Sequence, residues 1–290
     1  MENKIFKIDH YDRKILFELD SNARTRATEI GKKIRKSKQF VDYRIKRLEY
    51  EKILGGYTAV IDYSKMGYIS IRVYLKFHSI TREKQEEIEN DLMKDRQVWW
   101  LVAVDGQWDV AYAVGVKNVL DFYGYWDGIM AKYRKVIKKK SVVIYTHIRQ
   151  YPKSCLLNKN NDEKGTLVGA SKDVLVLDSM DLRLLKILSD NARIPLLDIA
   201  NKLHTSPQVA RAHIKKLEKN EIILGYKALI NIQMLSYRYY KSYINLASME
   251  RIASLERFCL QHPNILNVNR TIGGSDFEIE ILAKSFNEFE

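Results

Sequence analysis

Residues 8–57 read IDHYDRKILFELDSNARTRATEIGKKIRKSKQFVDYRIKRLEYEKILGGY. Residues 177–226 read LDSMDLRLLKILSDNARIPLLDIANKLHTSPQVARAHIKKLEKNEIILGY. Aligned without a gap, 18 of the 50 positions are identical. Chance would give about three, so the chain carries an internal repeat. Matched pairs include Asp9/Asp178, Asp12/Asp181, Asn22/Asn191, Arg24/Arg193, Ser37/Ser206, Gln39/Gln208 and Leu48/Leu217.

Each copy predicts three short helices. Asp9 stands where an N-cap belongs, with Asp12 three residues on; such carboxylates accept free N–H groups and oppose the helix dipole. Leu16 and Leu19 form one apolar face. Ile30 and Ile34 mark a second helix, whose counterpart starts near Pro195. Ser37 and Ser206-Pro207 are fresh helix starts. The third helix turns Val41, Ile45 and Leu48 inward and Lys38, Gln39, Tyr43, Lys46 and Arg47 outward. Its counterpart shows Gln208, Arg211, Lys215 and Lys216. This is a helix-turn-helix plan, and a short basic third helix suits a major groove. Gln reads adenine, while Lys and Arg read guanine or phosphate. The expected DNA contacts are Ser37, Lys38, Gln39, Tyr43, Arg44, Lys46 and Arg47, with Ser206, Gln208, Arg211, Lys215 and Lys216. A three-helix bundle with a solvated face, or a protein-binding module, is the plainer reading.

Downstream of each bundle the pattern turns β-rich. In the first copy, strands at 70–77, 98–106, 108–116 and 139–150 alternate with helices at 81–95 and 119–137. The order is β-α-β-β-α-β, a ferredoxin-like split arrangement. The second copy offers strands at 237–247, 265–272 and 276–283 and a helix at 249–262. It reads as shorter by about 35 residues, a helix and a strand. The expected class is therefore α+β, with two helix-turn-helix bundles, each leading into a ferredoxin-like domain, the second incomplete. The expected boundaries are 1–56, 57–151, a polar linker at 152–173, 174–225 and 226–290.

The 290 residues carry a net charge of +13, which fits a phosphate-rich partner. Lys-rich surfaces also simply solubilise. The basic run from Lys132 to Lys140 reads as a solvated helix end that could also touch flanking DNA. Two cysteines, Cys155 and Cys259, without a CxxC pair exclude a disulfide scaffold or four-cysteine zinc site. No apolar signal core or membrane-length apolar run occurs, so a soluble, cytoplasmic, nucleoid-associated protein is expected. No cofactor or metal is expected.

This set of features resembles the Lrp/AsnC, or feast/famine, family of bacterial and archaeal transcription regulators. The resemblance rests on the aspartate-led first helix, the Asn-x-Arg joint, the Ser-capped third helix, the Leu-Glu near its end and the Gly-Tyr strand, all present twice. It implies double-stranded DNA as partner, pairing through sheets, and further homo-oligomerisation. It also implies an amino-acid-like effector near the turn between the second and third strands. That turn places Asp105, Gly106 and Asp109 in one copy, with Gly273, Gly274 and Asp276 in the other. A tight hairpin whose Asp bonds nearby backbone would look the same. Most members carry one unit per chain; here the two effector domains are expected to pair within the chain, and an effector to shift head spacing or oligomer state. Where the family often has Gly in the recognition turn, this chain has Arg35 and His204, which would be strained if left-handed.

An enzyme is the less favoured class. Siroheme decarboxylases resemble Lrp/AsnC proteins, but their His-Asn-Tyr and Asn-Leu-Trp-Phe stretches have no counterpart in VWWLVAVDGQWDVAYAV or LNVNRTIGGSDFEIEIL. His78 and His147 could face each other on one sheet; HExxH, P-loop, GxSxG and dinucleotide fingerprints are lacking. An architectural DNA-compacting protein is the remaining alternative.

Overall fold

A computed structural model describes residues 8–161 and 164–290. The first bundle comprises α1 (His10–Ser21), α2 (Ala27–Ile34) and α3 (Lys38–Tyr50), followed by β1 (Leu54–Ile61). Then come β2 (Ile69–Phe77), α4 (Arg82–Lys94), β3 (Val98–Ala103), β4 (Val110–Val116), α5 (Val119–Tyr133), β5 (Ile137–Gln150) and β6 (Thr166–Val168). The second half has α6 (Ser179–Asp190), α7 (Leu196–Leu203), α8 (Pro207–Lys219) and β7 (Ile223–Ile230). It continues with β8 (Arg238–Ile244), α9 (Ile252–Gln261), β9 (Ile265–Ile272), β10 (Phe277–Ala283) and α10 (Phe286–Phe289). The chain is thus α+β, with two helix-turn-helix bundles. Ile137, read from sequence as the last packing residue of a helix, instead begins β5.

Both first helices open on a full capping box. The Asp9 carboxylate accepts from Asp12 N–H and the Asp12 carboxylate from Asp9 N–H; Asp178 and Asp181 repeat this. Ser37 and Ser206 cap α3 and α8. Arg35 and His204 close α2 and α7 in the left-handed region, at φ 57° and 54°. Each therefore carries the strain that glycine would avoid.

The strand after each bundle does not join the large sheet. β1 and β7 pair antiparallel in a separate two-stranded ribbon. Their inward residues Leu54, Tyr57, Ala59, Tyr226 and Ala228 merge the interiors of both bundles into one apolar core. The boundaries at 56/57 and 225/226 therefore cut through this ribbon, which belongs with the helices because it is buried among them. Arg24 Nε donates to Ala192 O at 2.7 Å and stacks 4.3 Å over the Tyr226 ring. Arg193 answers with a 2.8 Å bond to Ala23 O and a 5.1 Å stack on Tyr57.

The other eight strands form one sheet, ordered β3-β4-β2-β5-β9-β10-β8 with β6 added beside β5. The order β3-β4-β2-β5 is that of a ferredoxin-like sheet, with α4 and α5 over Ile71, Val73 and Leu75. Antiparallel pairing of β5 with β9 joins the two halves. Lys241 on β8 reaches Tyr74 on β2 at 2.7 Å, so the sheet curls until its helix-free faces meet. His78 lies beside the start of β5 and His147 near the other end, so the two do not face each other.

The segment at 152–173 is not a free linker. Cys155 and Leu156 are buried in the head core, and Ser154 bonds Asn161. Lys153 gives its backbone N–H (2.8 Å) and its ammonium (2.6 Å) to buried Asp20. Burial pushes the Asp20 carboxyl up, but the charges of Lys153 and Lys227 and the Lys153 bonds outweigh it, so the net shift is downward. The polar residues of this stretch satisfy buried groups, which composition alone does not reveal. Among the described residues no helix is long and apolar enough to cross a membrane.

Candidate nucleic-acid interface

In α3, Lys38, Gln39, Tyr43 and Lys46 point to solvent, as do Gln208, Arg211 and Lys215 in α8. Val41, Ile45 and Leu48, with Ala210, Ile214 and Leu217, seat the two helices on their cores. The exposed groups share one face of each helix, beside its capped N-terminus, where backbone N–H groups suit phosphate oxygens. Lys38 lies 3.9 Å from Asp42, an exposed i,i+4 pair that fixes little.

Three of the expected contact residues are committed elsewhere. Arg44 bonds Asp9 at 2.7 Å and Asp12 at 3.1 Å, and Arg47 bonds Asp12 at 2.6 Å. Asp12 is fully buried, so the two arginines neutralise it and clamp α3 to α1. In the second head Lys216 bonds Asp181 at 2.6 Å, and His213, standing where Arg44 stands, lies 2.7 Å from it. Asp178, Asp181 and His213 form a group of potential metal ligands among the described residues. The Lys216 ammonium already occupies that group. Sequence reasoning missed both clamps and the Arg24 and Arg193 grips. The matched Asn-x-Arg joints and the basic residues at equal spacing from buried aspartates were the available signals.

The clamp gives a prediction. Asp12→Ala removes a capping partner and leaves Arg44 and Arg47 without their shared carboxylate. We expect a loss of about 2–4 kcal/mol in chemical denaturation. Asp42→Ala, at a partly exposed position on α3, should shift stability by less than about 0.5 kcal/mol. Equal small effects would show that the clamp carries no net stability.

The turns expected to meet an effector are tied to their own strands. The Asp109 carboxylate accepts from Lys76 Nζ at 2.6 Å and Phe77 N at 2.7 Å, and Gly106 O accepts from Lys76 at 3.1 Å. Asp276 accepts from Leu246 N at 2.8 Å, the counterpart of Phe77. Gly106 and Gly273 have φ of 118° and 85°, and a side chain on Gly274 would crowd Thr271 and Val143. Asp105 and Gly106 are both exposed beside this hairpin. The basic run is largely engaged as well. Lys132 pairs with Asp91, while Lys139 and Lys140 lie over Trp108 and Trp126. It stands at the start of 14-residue β5, about 45 Å along the strand from the end that meets the first head. DNA held by the heads would have to bend far to touch it.

Known proteins share this plan. Residues 8–49 match the AsnC-type helix-turn-helix domain, and residues 177–223 match a winged helix-turn-helix DNA-binding domain. An HTH-type transcriptional regulator of Pyrococcus furiosus is 32% identical over 105 residues, covering 36% of this chain and 69% of that protein. The chain belongs to the Lrp/AsnC family of transcription regulators. The leucine-responsive regulatory protein of Rhizobium meliloti is 26% identical over 117 residues, 39% of this chain and 75% of the relative. Its Haemophilus influenzae namesake is 37% identical over 59 residues, which cover 20% of this chain and 36% of that protein. The crystal structure of the siroheme decarboxylase NirDL aligns over 97% of this chain and 84% of its own, with a TM-score of 0.62 and 13% identity. That likeness concerns the fold alone.

Proposed function

We propose that this regulator binds double-stranded DNA sequence-specifically with both heads, α3 and α8 entering successive major grooves. The observation that carries the reading is the pair of capped third helices, each with an outward row of Lys, Arg, Gln or Tyr, on heads that share one core. Lys38, Lys46 and Lys215 neutralise phosphates; Gln39, Gln208 and Arg211 read bases, with Tyr43, Ser37 and Ser206 alongside. Arg44, Arg47 and Lys216 act by holding each helix in place.

The heads are not equivalent. Asp42 occupies the position of Arg211, and Tyr43 that of Ala212. Arginine pairs bidentately with guanine, whereas aspartate accepts only from cytosine and repels phosphate. The operator is therefore asymmetric, and the chain binds it in one orientation. Because the heads share a core through the ribbon, an effector changes oligomer state or sheet contacts more readily than head spacing. An amino-acid-like effector at the two hairpin turns, and further homo-oligomerisation, remain parts of this reading that the family suggests.

The test is a titration on the duplex upstream of the protein's own gene and on a scrambled duplex, at two salt concentrations. We expect binding at least about tenfold tighter to the natural duplex, with both affinities falling as salt rises. Equal, salt-sensitive binding would instead favour an architectural DNA-compacting protein. Absence of binding to either would remove the DNA reading.

A further inference from the structure

A cavity of about 310 Å³ lies between the first head and the second half of the sheet. This is within the range of small-ligand sites. Arg13 and His10 come from α1, Leu156 from the segment after β5, Tyr237 from just before β8, and Lys284 and Glu288 from the segment after β10. The Tyr237 hydroxyl donates to Cys155 O at 3.1 Å, leaving its oxygen to accept from Arg13 beside it. Both Glu288 oxygens already accept, from Asn264 Nδ2 at 3.2 Å and Lys284 N at 2.7 Å. Burial pushes the Cys155 thiol up to about 11, so that part of the wall stays uncharged at neutral pH. Arg13 and Lys284 make no ion pair with any described residue. The cavity thus combines two cations that make no ion pair among the described residues, one carboxylate, Glu288, whose oxygens already accept, and Leu156, Leu157 and the Tyr237 ring.

The internal repeat supplies a control. Tyr68 is the counterpart of Tyr237, and Lys117 lies 5.5 Å over its ring, as Lys284 lies 5.6 Å over Tyr237. The counterparts of His10 and Arg13, however, are Ser179 and Leu182. The paired cations therefore occur on one side of the pseudo-symmetric molecule. A purely structural position would not need arginine, since the repeat accepts leucine there.

We propose that this cavity is a binding site for a small carboxylate bearing a short apolar chain. Its carboxylate bridges Arg13 and Lys284, and its chain lies on Leu156 and Tyr237. A bound ligand would join the first head to the second half of the sheet. The inference does not depend on what the heads bind.

The test uses the whole chain without DNA. Binding of 3-methylbutanoate and of its uncharged amide is measured by calorimetry at fixed ionic strength. The expected result is saturable binding of the acid at about millimolar concentration, with the amide weaker by at least about tenfold. Arg13→Leu, which copies the repeat's own Leu182, and Lys284→Gln, at an exposed position, should each weaken the acid by at least about tenfold. Leu182→Arg should leave it unchanged. No saturation by about 50 mM acid, equal binding of acid and amide, or unaltered binding in both cavity variants would overturn the proposal.

Discussion

Alanine at Lys38, Lys46, Arg211 and Lys215 together should lower affinity for the natural operator by about a hundredfold or more. Each lysine on a phosphate contributes about one unit to the slope of log affinity against log salt, so the slope should fall by about three. Arg211 adds the loss of a base contact, about 1–3 kcal/mol, and should relax the preference at one position of one half-site. The fold should survive, because these side chains are exposed and, among the described residues, make only one weak ion pair, Lys38 to Asp42 at 3.9 Å. Exposed substitutions of this kind shift stability by about 0.5 kcal/mol or less each. Arg44→Ala is the contrasting variant. It breaks the bonds to Asp9 and Asp12, so it should lower the stability of the first head as well as affinity. Filter binding or fluorescence anisotropy across a salt series, beside circular dichroism of each variant, reads both effects. A folded quadruple variant with full affinity and an unchanged slope would sink the DNA-binding role of the two third helices.

The contrast between those variants marks how far the sequence could be read. The helices were legible because their signals are local: a capping box at Asp9 and Asp12, serine caps at Ser37 and Ser206, and apolar residues at helical spacing. The ferredoxin-like order was legible from alternating β-branched and aromatic strands. What the arginines of α3 do was not legible. Arg44 and Lys46 look alike in the sequence, yet one turns to a buried aspartate some thirty residues upstream while the other faces solvent. Such pairings depend on tertiary distance, which periodicity does not encode. The ribbon between β1 and β7 escaped for the same reason. Its register joins residues far apart in the chain, and each strand alone looks like the start of the sheet domain. The segment after β5 misled in the opposite direction. Its polar composition suggested a linker, whereas Lys153 and Ser154 serve buried partners.

Where the helix-free faces of the sheet meet, the interior is polar, and Lys241→Met should cost about 3–5 kcal/mol at neutral pH. Lys241 lies 2.7 Å from the Glu278 carboxylate, 3.9 Å from Glu280 and 2.7 Å from the Tyr74 hydroxyl. Tyr145 donates to Glu278 at 2.6 Å, while Asn267 and Asn269 hold Glu280. The second cation, Arg72, stacks 3.7 Å over Trp100 and 4.5 Å over Tyr145. Two anions and two cations thus share one buried space, and deleting one cation strands a carboxylate that water cannot reach. Glu278→Gln added to Lys241→Met should restore much of the loss, because the stranded charge is then gone. The pH dependence follows from the same charges. Burial raises the Glu280 carboxyl, but Lys241 first, then Arg72, Tyr239 and Asn267, bring it below its ordinary value. A depressed carboxyl stabilises the fold above its unfolded value of about 4.3, and that stability is lost as pH falls through the folded value. Without Lys241 the depression shrinks, so acid unfolding should begin at higher pH. Urea denaturation of the single and double variants at pH 7, with an acid titration of each, measures both. A single-variant loss below about 1 kcal/mol would mean that the faces are held together by their aromatic contacts and the β5–β9 pairing instead.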